Sequence, residues 1–501
     1  MKSVLSATSS KAPLLRRPAR QLSRLHRWLG TGFCLLFALW FGTGFVMMYV
    51  PFPSLGEGER VAASAPVALA AVNVAPATAA RGLPGLPVSR LRLVDVLGRP
   101  RYLATLDDGR VLGVDADDGG TPAPLDAADA KRLAERFAGH PAQAVGGPFD
   151  YDQWVVHHRF DAARPFYKIE LGDAAGTELY VSAGLGQVLQ RTTRFERGWN
   201  WVGAVAHWMY PTVLRKNSWA WDQTVWWLAL GGIVVAAAGY GVGLVRLLNQ
   251  RRAGRAGISA FRGWLRWHHV LGLTGGLFAL TWVFSGWLSM DHGRLFSLDQ
   301  ANADRAARFR GAGLATAMAD LTPETLRTMG TAREIEFLAV GGRPFVVQRG
   351  AAGAAYRLIP LAAGKPQPPL NQLPDALLMQ AVAAAWAPTP VRDIAAIAAD
   401  DAYGHTRSDA LPASARRVRL DDAASTWVHV DTRSGQIVSQ MDDSRRLYRW
   451  LFNGLHSFDF PLLRGSGPLR QTLMLAALAA GLALSVSALV LAARRLGRSR
   501  R

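Results

Sequence analysis

Four of the eleven histidines stand at matching positions in two copies of one pattern. Two of them begin long apolar runs in His-x-x-Leu-Gly motifs, and two precede such runs, each six residues after a tryptophan. Neutral imidazole nitrogens bind haem iron from both sides of the ring, and helical bundles build such sites from facing helices. The pattern therefore predicts two b-type haems, one held by His26 and His268 and the other by His207 and His456.

Four neighbouring residues are weaker candidates for the same sites. His269 points elsewhere on its helix than His268, so it is the ligand only if the helical register differs by one. His292 follows the third apolar run and has no counterpart in the first copy. Arg215 and Arg464 lie eight residues after paired histidines and are candidates for haem propionates, with lipid head groups as the alternative. The remaining histidines are expected to have structural or surface roles: His140, His157, His158, His405 and His429.

The distribution of acidic residues indicates which segments cross a membrane. No aspartate or glutamate occurs before Glu57, between Asp222 and Asp291, or after Asp459, and these acid-free stretches contain the long apolar runs. Ionised carboxylates are strongly disfavoured inside lipid, and about 20 apolar residues cross the hydrocarbon core. The predicted membrane spans are residues 28–50, 223–247, 265–290 and 468–493.

The basic residues predict an orientation. They cluster in three segments that the positive-inside rule places in the cytoplasm: 1–27, 248–264 and 494–501. Residues 57–196 and 291–444 then lie in the periplasm, if the membrane is a bacterial inner membrane. Residues 197–222 and 445–467, which contain the two outer histidines, are predicted to include interfacial helices. This topology accounts for the formal net charge of +20 better than nucleic-acid binding does.

The soluble segments repeat as well. Leu91–Val96 followed by Gly98-Arg-Pro100 matches Ile335–Val340 followed by Gly342-Arg-Pro344. Short strands, turns and one helix are predicted to follow in both copies, so internal duplication is the best account of the chain. The predicted fold is an α+β membrane protein with four transmembrane helices in a pseudo-two-fold bundle and two periplasmic α+β domains.

These motifs resemble a known family. Tyr180-Val-Ser-Ala-Gly-Leu-Gly186 and Val428-His-Val-Asp-Thr-Arg-Ser-Gly-Gln-Ile437 look like parts of a PepSY domain. The His-x-x-Leu-Gly spans and Arg449-Trp-Leu-Phe-Asn-Gly-Leu-His-Ser457 resemble the PepSY-associated transmembrane-helix family, and the resemblance extends from about Leu25 to Arg494. It implies PepSY-like periplasmic domains. Some members of that family are two-haem ferric-siderophore reductases, and others are known only as iron-regulated membrane proteins.

The leading expectation is an oxidoreductase that uses two b haems to reduce a ferric siderophore or another periplasmic iron complex. Reduction weakens the binding of iron by hard oxygen ligands and so releases it. Gly239-Tyr-Gly-Val-Gly243 lies inside a predicted span without a preceding strand, so it is not a dinucleotide loop. The electron donor is expected to be a quinol or a cytoplasmic flavoprotein. The alternatives are a non-enzymatic PepSY membrane protein that binds or regulates a peptidase or another protein, and a component of iron-complex transport.

Overall fold

The computed structural model describes residues 16–83, 87–297, 302–351, 354–404 and 410–498. The chain divides into two compact units. The first, here called the helical unit, comprises Met1–Pro51, Trp199–Leu295 and Tyr448–Arg501. The second, here called the sheet unit, comprises Phe52–Gly198 and Phe296–Leu447. Both halves of the chain therefore contribute to both units.

In the first half, two long helices flank a region of short helices and strands. The helices are α1 (Arg16–Met47), α2 (Glu57–Ala63), α3 (Pro76–Arg81), α4 (Ala127–Ala138), α5 (Arg194–Asn200), α6 (Thr212–Arg215) and α7 (Ser218–Arg252). The strands are β1 (Val88–Val96), β2 (Arg99–Leu106), β3 (Val111–Asp115), β4 (Ala142–Phe149), β5 (Phe166–Leu171), β6 (Glu178–Ser182) and β7 (Val188–Thr192). Short 3-10 turns occur at Leu69–Ala71 and His158–Ala163, and a π-helical turn at Trp201–Val205.

The second half has a similar series of elements. Its helices are α8 (Gly263–Thr274), α9 (Gly276–Leu288), α10 (Ala303–Arg310), α11 (Leu314–Ala317), α12 (Pro323–Thr328), α13 (Asp375–Trp386), α14 (Asp443–Arg449), α15 (Leu455–Ser457), α16 (Pro461–Arg464) and α17 (Gly467–Arg498). Its strands are β8 (Glu334–Val340), β9 (Arg343–Ala351), β10 (Ala354–Ala362), β11 (Lys365–Pro366), β12 (Val391–Ala396), β13 (Ala415–Leu420), β14 (Trp427–Asp431) and β15 (Ile437–Met441). A 3-10 turn lies at His292–Arg294 and a second π-helical turn at Trp450–Gly454.

The helical unit contains three helices that are long and apolar enough to cross a membrane: Pro18–Met47, Ser218–Arg252 and Gly467–Gly497. The third predicted span, 265–290, consists of two helices, α8 and α9, that meet at a bend of 61°. Two adjacent glycines, Gly275 and Gly276, lie at this bend, and glycine lowers helix stability. The described residues therefore provide up to four spans, if the bent pair counts as one. Such helices indicate a membrane protein.

The sheet unit is built around one antiparallel sheet of seven strands, in the order β11-β10-β9-β8-β1-β2-β3. Its central pairing joins the two halves of the chain, because β1 pairs with β8. The core of this sheet includes Leu91, Leu93, Ile335 and Phe337, which are at most 1% exposed. The predicted soluble segments 57–196 and 291–444 thus share a sheet within one unit.

The pairing of β1 with β8 is symmetric with respect to the repeat. Gly98 matches Gly342 in the repeat register, so Arg92 matches Glu336. Arg92 also lies opposite Glu336 in the sheet, with Leu91 opposite Phe337 on one side. Strand β1 is therefore paired with its equivalent strand in the other repeat, β8.

Two further antiparallel sheets have four strands each, in the orders β4-β5-β6-β7 and β12-β13-β14-β15. Helix α4 packs against the first of these sheets, and α13 packs its buried face, including Leu378 and Val382, into the core of the second half. Asp126 caps the N-terminus of α4, since its carboxylate accepts the N–H of Asp129 at 2.8 Å. Residues 180–186 form the end of β6 and the turn after it, and residues 428–437 form most of β14, the turn after it and the start of β15.

Candidate functional site: two histidine pairs

The helical unit brings the two inner histidines together. His26 lies on α1 and His268 on α8, and the centres of their imidazole rings are 6.1 Å apart. The two rings are inclined by 28°, so they face one another approximately in parallel. The helical unit therefore contains the first histidine pair at the predicted positions.

The two outer histidines also meet. The ring centres of His207 and His456 are 6.5 Å apart, with the ring planes inclined by 71°. Each histidine follows a π-helical turn, Trp201–Val205 in one repeat and Trp450–Gly454 in the other. Such turns insert one residue into a helix and are common at functional sites. Here they shape the segment just before each outer histidine.

Hydrogen bonds assign the proton on each outer histidine. Nδ1 of His207 lies 2.8 Å from Oγ1 of Thr43, and Nδ1 of His456 lies 3.0 Å from Oγ of Ser285. Both hydroxyls donate their single hydrogen to a backbone carbonyl of their own helix, at 2.7 and 3.0 Å. With the hydroxyl hydrogens so directed, each hydroxyl oxygen accepts a hydrogen bond from the imidazole. Nδ1 carries the proton, and Nε2 keeps its lone pair.

The inner histidines have the same tautomer. Nδ1 of His26 lies 3.1 Å from the carbonyl oxygen of Val235, which can only accept a hydrogen bond. Nδ1 of His268 lies 3.0 Å from Oγ of Ser487, whose own hydrogen is donated to the carbonyl of Leu484 at 2.6 Å. All four paired histidines therefore have Nδ1–H engaged and an Nε2 lone pair available.

The separations within the pairs match those of two imidazoles bound to one metal ion. An imidazole nitrogen lies about 2.0–2.1 Å from a first-row metal ion and about 1.1 Å from its own ring centre, so two opposite ligands have ring centres roughly 6.3 Å apart. The observed values are 6.1 and 6.5 Å. Each pair thus has the ring spacing of two imidazoles that bind one metal ion from opposite sides. In the described ranges, no group of three or more His, Cys, Asp and Glu side chains could hold a metal ion.

A glycine of α7 lies against the inner pair. A Cβ atom at Gly239 would be 2.7 Å from Nδ1 of His26, a distance that real Cβ atoms essentially never show. Gly239 belongs to the glycine-rich stretch within the second span, which supports its interpretation as a site of close helix packing. Because Gly239 has no side chain, the imidazole of His26 can occupy this space.

The outer pair has an asymmetry between the repeats. Trp40 and Trp282 are equivalent, each three residues before the hydroxyl that holds an outer histidine. The indole N–H of Trp40 donates to the carbonyl oxygen of His207 at 3.1 Å. Trp282 is 8% exposed, yet its buried indole N–H has no partner among the described residues. Leaving a buried donor unpaired costs about 1–3 kcal/mol.

The structure places the weaker histidine candidates outside the pairs. Nε2 of His269 lies 3.2 Å from the carbonyl oxygen of Gly243, and its Nδ1 lies 2.9 Å from Oγ of Ser259. Both of its ring nitrogens are therefore engaged, and His268 is the residue that faces His26. His292 instead forms a 2.7 Å contact with the carboxylate of Asp222.

The two matched arginines contact protein groups. Arg215 is 3% exposed, and its guanidinium lies over the rings of Tyr210 and Trp221. Arg464 donates from Nε to Oδ1 of Asp459 at 2.8 Å. The matched position thus has different partners in the two repeats. A role of either arginine toward a haem propionate stays a prediction.

The histidines of the sheet unit include one that is fully buried. His429 is 0% exposed, and its Nε2 accepts a hydrogen bond from Arg417 at 3.0 Å. Burial, together with the charge of Arg417, lowers the pKa of His429 to about 3. His405 lies outside the described residues.

The hydroxyl residues that hold the histidines were absent from the sequence prediction. Thr43 and Ser285 both lie seventeen residues after the inner histidine of their repeat, so the repeat register contained the signal. Ser487 has no such match, because the equivalent contact in the first repeat is made by the backbone of Val235.

A scan of the sequence against protein-family models found no match, and a search of curated proteins found no relative.

Proposed function

We propose that this protein is a transmembrane electron carrier with two b-type haems that reduces a ferric complex, of the siderophore type, on the periplasmic side of a bacterial inner membrane. One observation carries the proposal. Four imidazoles form two pairs at 6.1 and 6.5 Å, and every Nδ1 lies within hydrogen-bond distance of an oxygen atom. His26 with His268, and His207 with His456, would each hold one haem, which would supply one-electron transfer.

In this proposal the surrounding groups prepare the ligands. Thr43, Ser285 and Ser487 accept from Nδ1, and this hydrogen bond fixes both the ring orientation and the tautomer. Such partners also raise the basicity of the ligating nitrogen. The indole N–H of Trp282, which has no acceptor among the described residues, would be a donor for a polar group of a haem held by the outer pair.

Helix α1 sets the distance between the two pairs. It contains His26, and seventeen residues later it contains Thr43, which holds His207. At 1.5 Å per residue the two positions are about 26 Å apart along the helix. That is close to the roughly 30 Å thickness of the hydrocarbon core, which supports one haem near each face and electron transfer across the membrane.

The proposal includes the orientation that the arginine clusters favour. The basic segments lie in the cytoplasm, and a quinol or a cytoplasmic flavoprotein delivers electrons to the His26–His268 side. The sheet unit, with its two PepSY-like regions, lies in the periplasm, and the iron complex is reduced on the His207–His456 side. The four spans include the bent pair α8–α9. The motifs shared with the PepSY-associated transmembrane-helix family support this assignment.

A visible absorption spectrum of the purified full chain, oxidised and then reduced with dithionite, tests the proposal. We expect low-spin bands of bis-histidine haem and about two haems per chain. His26→Ala and His456→Ala should each remove about half of the haem, because each pair loses one of its two ligands. His140→Ala, which changes an exposed residue of the sheet unit, is the matched control and should leave the haem content unchanged.

A purified protein without low-spin haem would contradict the proposal, and so would unchanged haem content in both pair variants. Histidine changes that are silent in every assay would instead favour a non-enzymatic membrane protein that binds a periplasmic partner.

A further inference from the structure

A groove with four arginines opens beside the inner histidine pair. It lies between α1 and α7, and its basic residues are Arg20, Arg24 and Arg27 of α1 and Arg246 of α7. None of its lining residues is acidic, and the first acidic residue of the whole chain is Glu57. The groove therefore carries four formal positive charges without a carboxylate in its own lining to balance them.

The α1 side of the groove continues the helix face that carries His26. Ser23 lines the groove and lies three residues before His26, so the two side chains share one face of α1. Arg27 follows His26 directly in the sequence, and Arg24 lies two residues before it. At 1.5 Å per residue, all three arginines of α1 are within about 9 Å of His26 along the helix axis.

The α7 side of the groove begins at the same imidazole. The carbonyl oxygen of Val235 lies 3.1 Å from Nδ1 of His26, and Gly239 is the position at which a Cβ atom would be 2.7 Å from that nitrogen. Val242 and Arg246 line the groove three and seven residues after Gly239, so these three residues share one face of α7. The groove thus begins about one helical turn from His26.

The chemistry of the groove suits the carboxylates of a haem. A b-type haem carries propionate groups on one edge of its ring, and an ionised carboxylate in an apolar helical bundle is strongly disfavoured unless cations or water meet it. Guanidinium groups present their N–H donors in a planar fork that matches a carboxylate. Arg246 reaches across the groove to the hydroxyl of Ser23 at 3.5 Å, and the four arginines are exposed to solvent. A carboxylate in this groove would therefore meet both cations and water.

We propose that the arginines of this groove hold the propionates of the haem at the His26–His268 pair. The inference rests on the proposed function, because it needs a haem at this pair, and it assigns a role there to residues other than the histidines. Arg215 and Arg464 each follow an outer histidine by eight residues, so they belong to the outer pair. A free phosphate or a lipid head group would also meet four arginines, but neither would require the groove to begin beside His26.

Reconstitution of the apoprotein with haem and with haem dimethyl ester tests this role. The ester has the same ring and iron, but its carboxylates are capped and carry no charge. A His456→Ala background isolates the inner site. We expect this site to bind haem about tenfold more tightly than the ester, and Arg24→Gln/Arg246→Gln to reduce that ratio to about one. The affinity for the ester should be unchanged in the groove variant, because the ester has no charge to lose.

Arg251→Gln/Arg252→Gln is the matched control, because it removes the same charge from exposed residues of α7 outside the groove. It should keep the tenfold ratio. Arg24→Gln alone should lower the ratio about threefold, and it provides the test if the double variant does not fold.

Equal affinities of haem and ester for the unchanged groove would overturn the inference and leave the arginines to solvent or lipid. Equal losses of both ligands in the groove variant would also overturn it, since they would show a structural effect. So would the same fall in the ratio in the groove variant and the control. A chain that binds neither ligand at the inner pair would contradict the proposed function as well, so the two failures are distinguishable.

Discussion

The tautomer of each paired histidine depends on the group that contacts its Nδ1. If Nδ1 lacked an acceptor, the imidazole could adopt either tautomer, and one of them presents an N–H where a lone pair is needed. Three of the four acceptors are hydroxyl oxygens of Thr43, Ser285 and Ser487, whose hydrogens are already donated to helix carbonyls. These three hydroxyl groups therefore favour a proton on Nδ1 without any charged group.

Thr43→Val tests this arrangement, because it keeps the shape of the side chain and removes the acceptor for Nδ1 of His207. Loss of such a partner typically costs about 10–100-fold in metal affinity. We expect the affinity of the outer haem to fall by that amount, with no change at the inner pair. Titration of haem into apoprotein, followed by absorption and electron paramagnetic resonance, measures both sites.

Thr274→Val is the matched control. Thr274 is exposed and donates to the carbonyl of Val270 at 3.0 Å, as Thr43 does within its own helix. It contacts no paired histidine. Equal effects of the two variants would show that loss of the hydroxyl acts through the helix rather than through the imidazole.

At the residue scale, the sequence predicted which histidines pair but not which residues contact them. The repeat register matched His26 with His268, and His207 with His456, and each of these pairs meets in the structure. It could not decide between His268 and His269, because one residue of helical register separates them. Thr43 and Ser285 resemble the ordinary hydroxyl residues that bond back to their own helix, so their types gave no signal.

At the scale of elements, the long helices follow from hydropathy and the interruptions do not. The run 265–290 contains no acidic residue and is apolar over most of its length, yet it bends by 61° where α8 meets α9. Hydropathy does not detect such a break, because glycine is compatible with an apolar run and its effect on the helix depends on packing. Hydropathy does not detect the two π-helical turns either, because one residue inserted into a helix does not change the composition of the segment.

The pairing of β1 with β8 should depend on pH through Glu336. This residue is 2% exposed, and its carboxylate accepts from Arg90 at 2.7 Å and from Arg349 at 2.9 Å. Burial alone would raise the pKa of Glu336, but the two arginines outweigh it and lower the pKa to about 2. The folded pKa is therefore below the unfolded value of about 4.3. The stabilisation is present above about pH 4.3 and is lost as the pH falls toward 2.

Glu336→Gln should therefore destabilise the sheet unit at pH 7 by about 1–3 kcal/mol, because it removes the buried charge to which the partly buried Arg90 and Arg349 donate. The difference from the natural protein should shrink between pH 4.3 and pH 2. Thermal unfolding of the detergent-solubilised chain at pH 7 and pH 3, followed by circular dichroism, measures it. Glu324→Gln, at a side chain that is 74% exposed, is the control. A difference that is the same at both pH values would contradict the assignment.

At the scale of the whole molecule, both repeats supply part of each unit. The sequence predicted alternating apolar and soluble segments, and the helical and sheet units follow that alternation. The sequence predicted two soluble domains. It gave no indication that β1 and β8 would pair, because pairing between strands that are far apart in the chain has no local sequence pattern. The pairing of β1 with β8 is therefore known only from the structure.

The orientation can be tested with single cysteines, because the chain has one natural cysteine, Cys34. In a Cys34→Ala background, Glu324→Cys should react with a membrane-impermeant maleimide in intact spheroplasts, since the sheet unit is proposed to be periplasmic. Arg252→Cys should react only after the membrane is opened, because its segment is proposed to be cytoplasmic. Labelling of Arg252→Cys in intact spheroplasts would reverse or refute the topology.

The strand pairing at the centre of the sheet has an implication for the origin of the chain. A strand that lies antiparallel to the equivalent copy of itself is the arrangement found at the interface of a symmetric homodimer. In such an ancestor, the residue at the centre of the pairing would face an identical residue, and like charges opposite one another destabilise a sheet. Here that position is Arg92 in one repeat and Glu336 in the other. A single chain that contains both repeats can carry opposite charges at these two positions, which two identical subunits cannot.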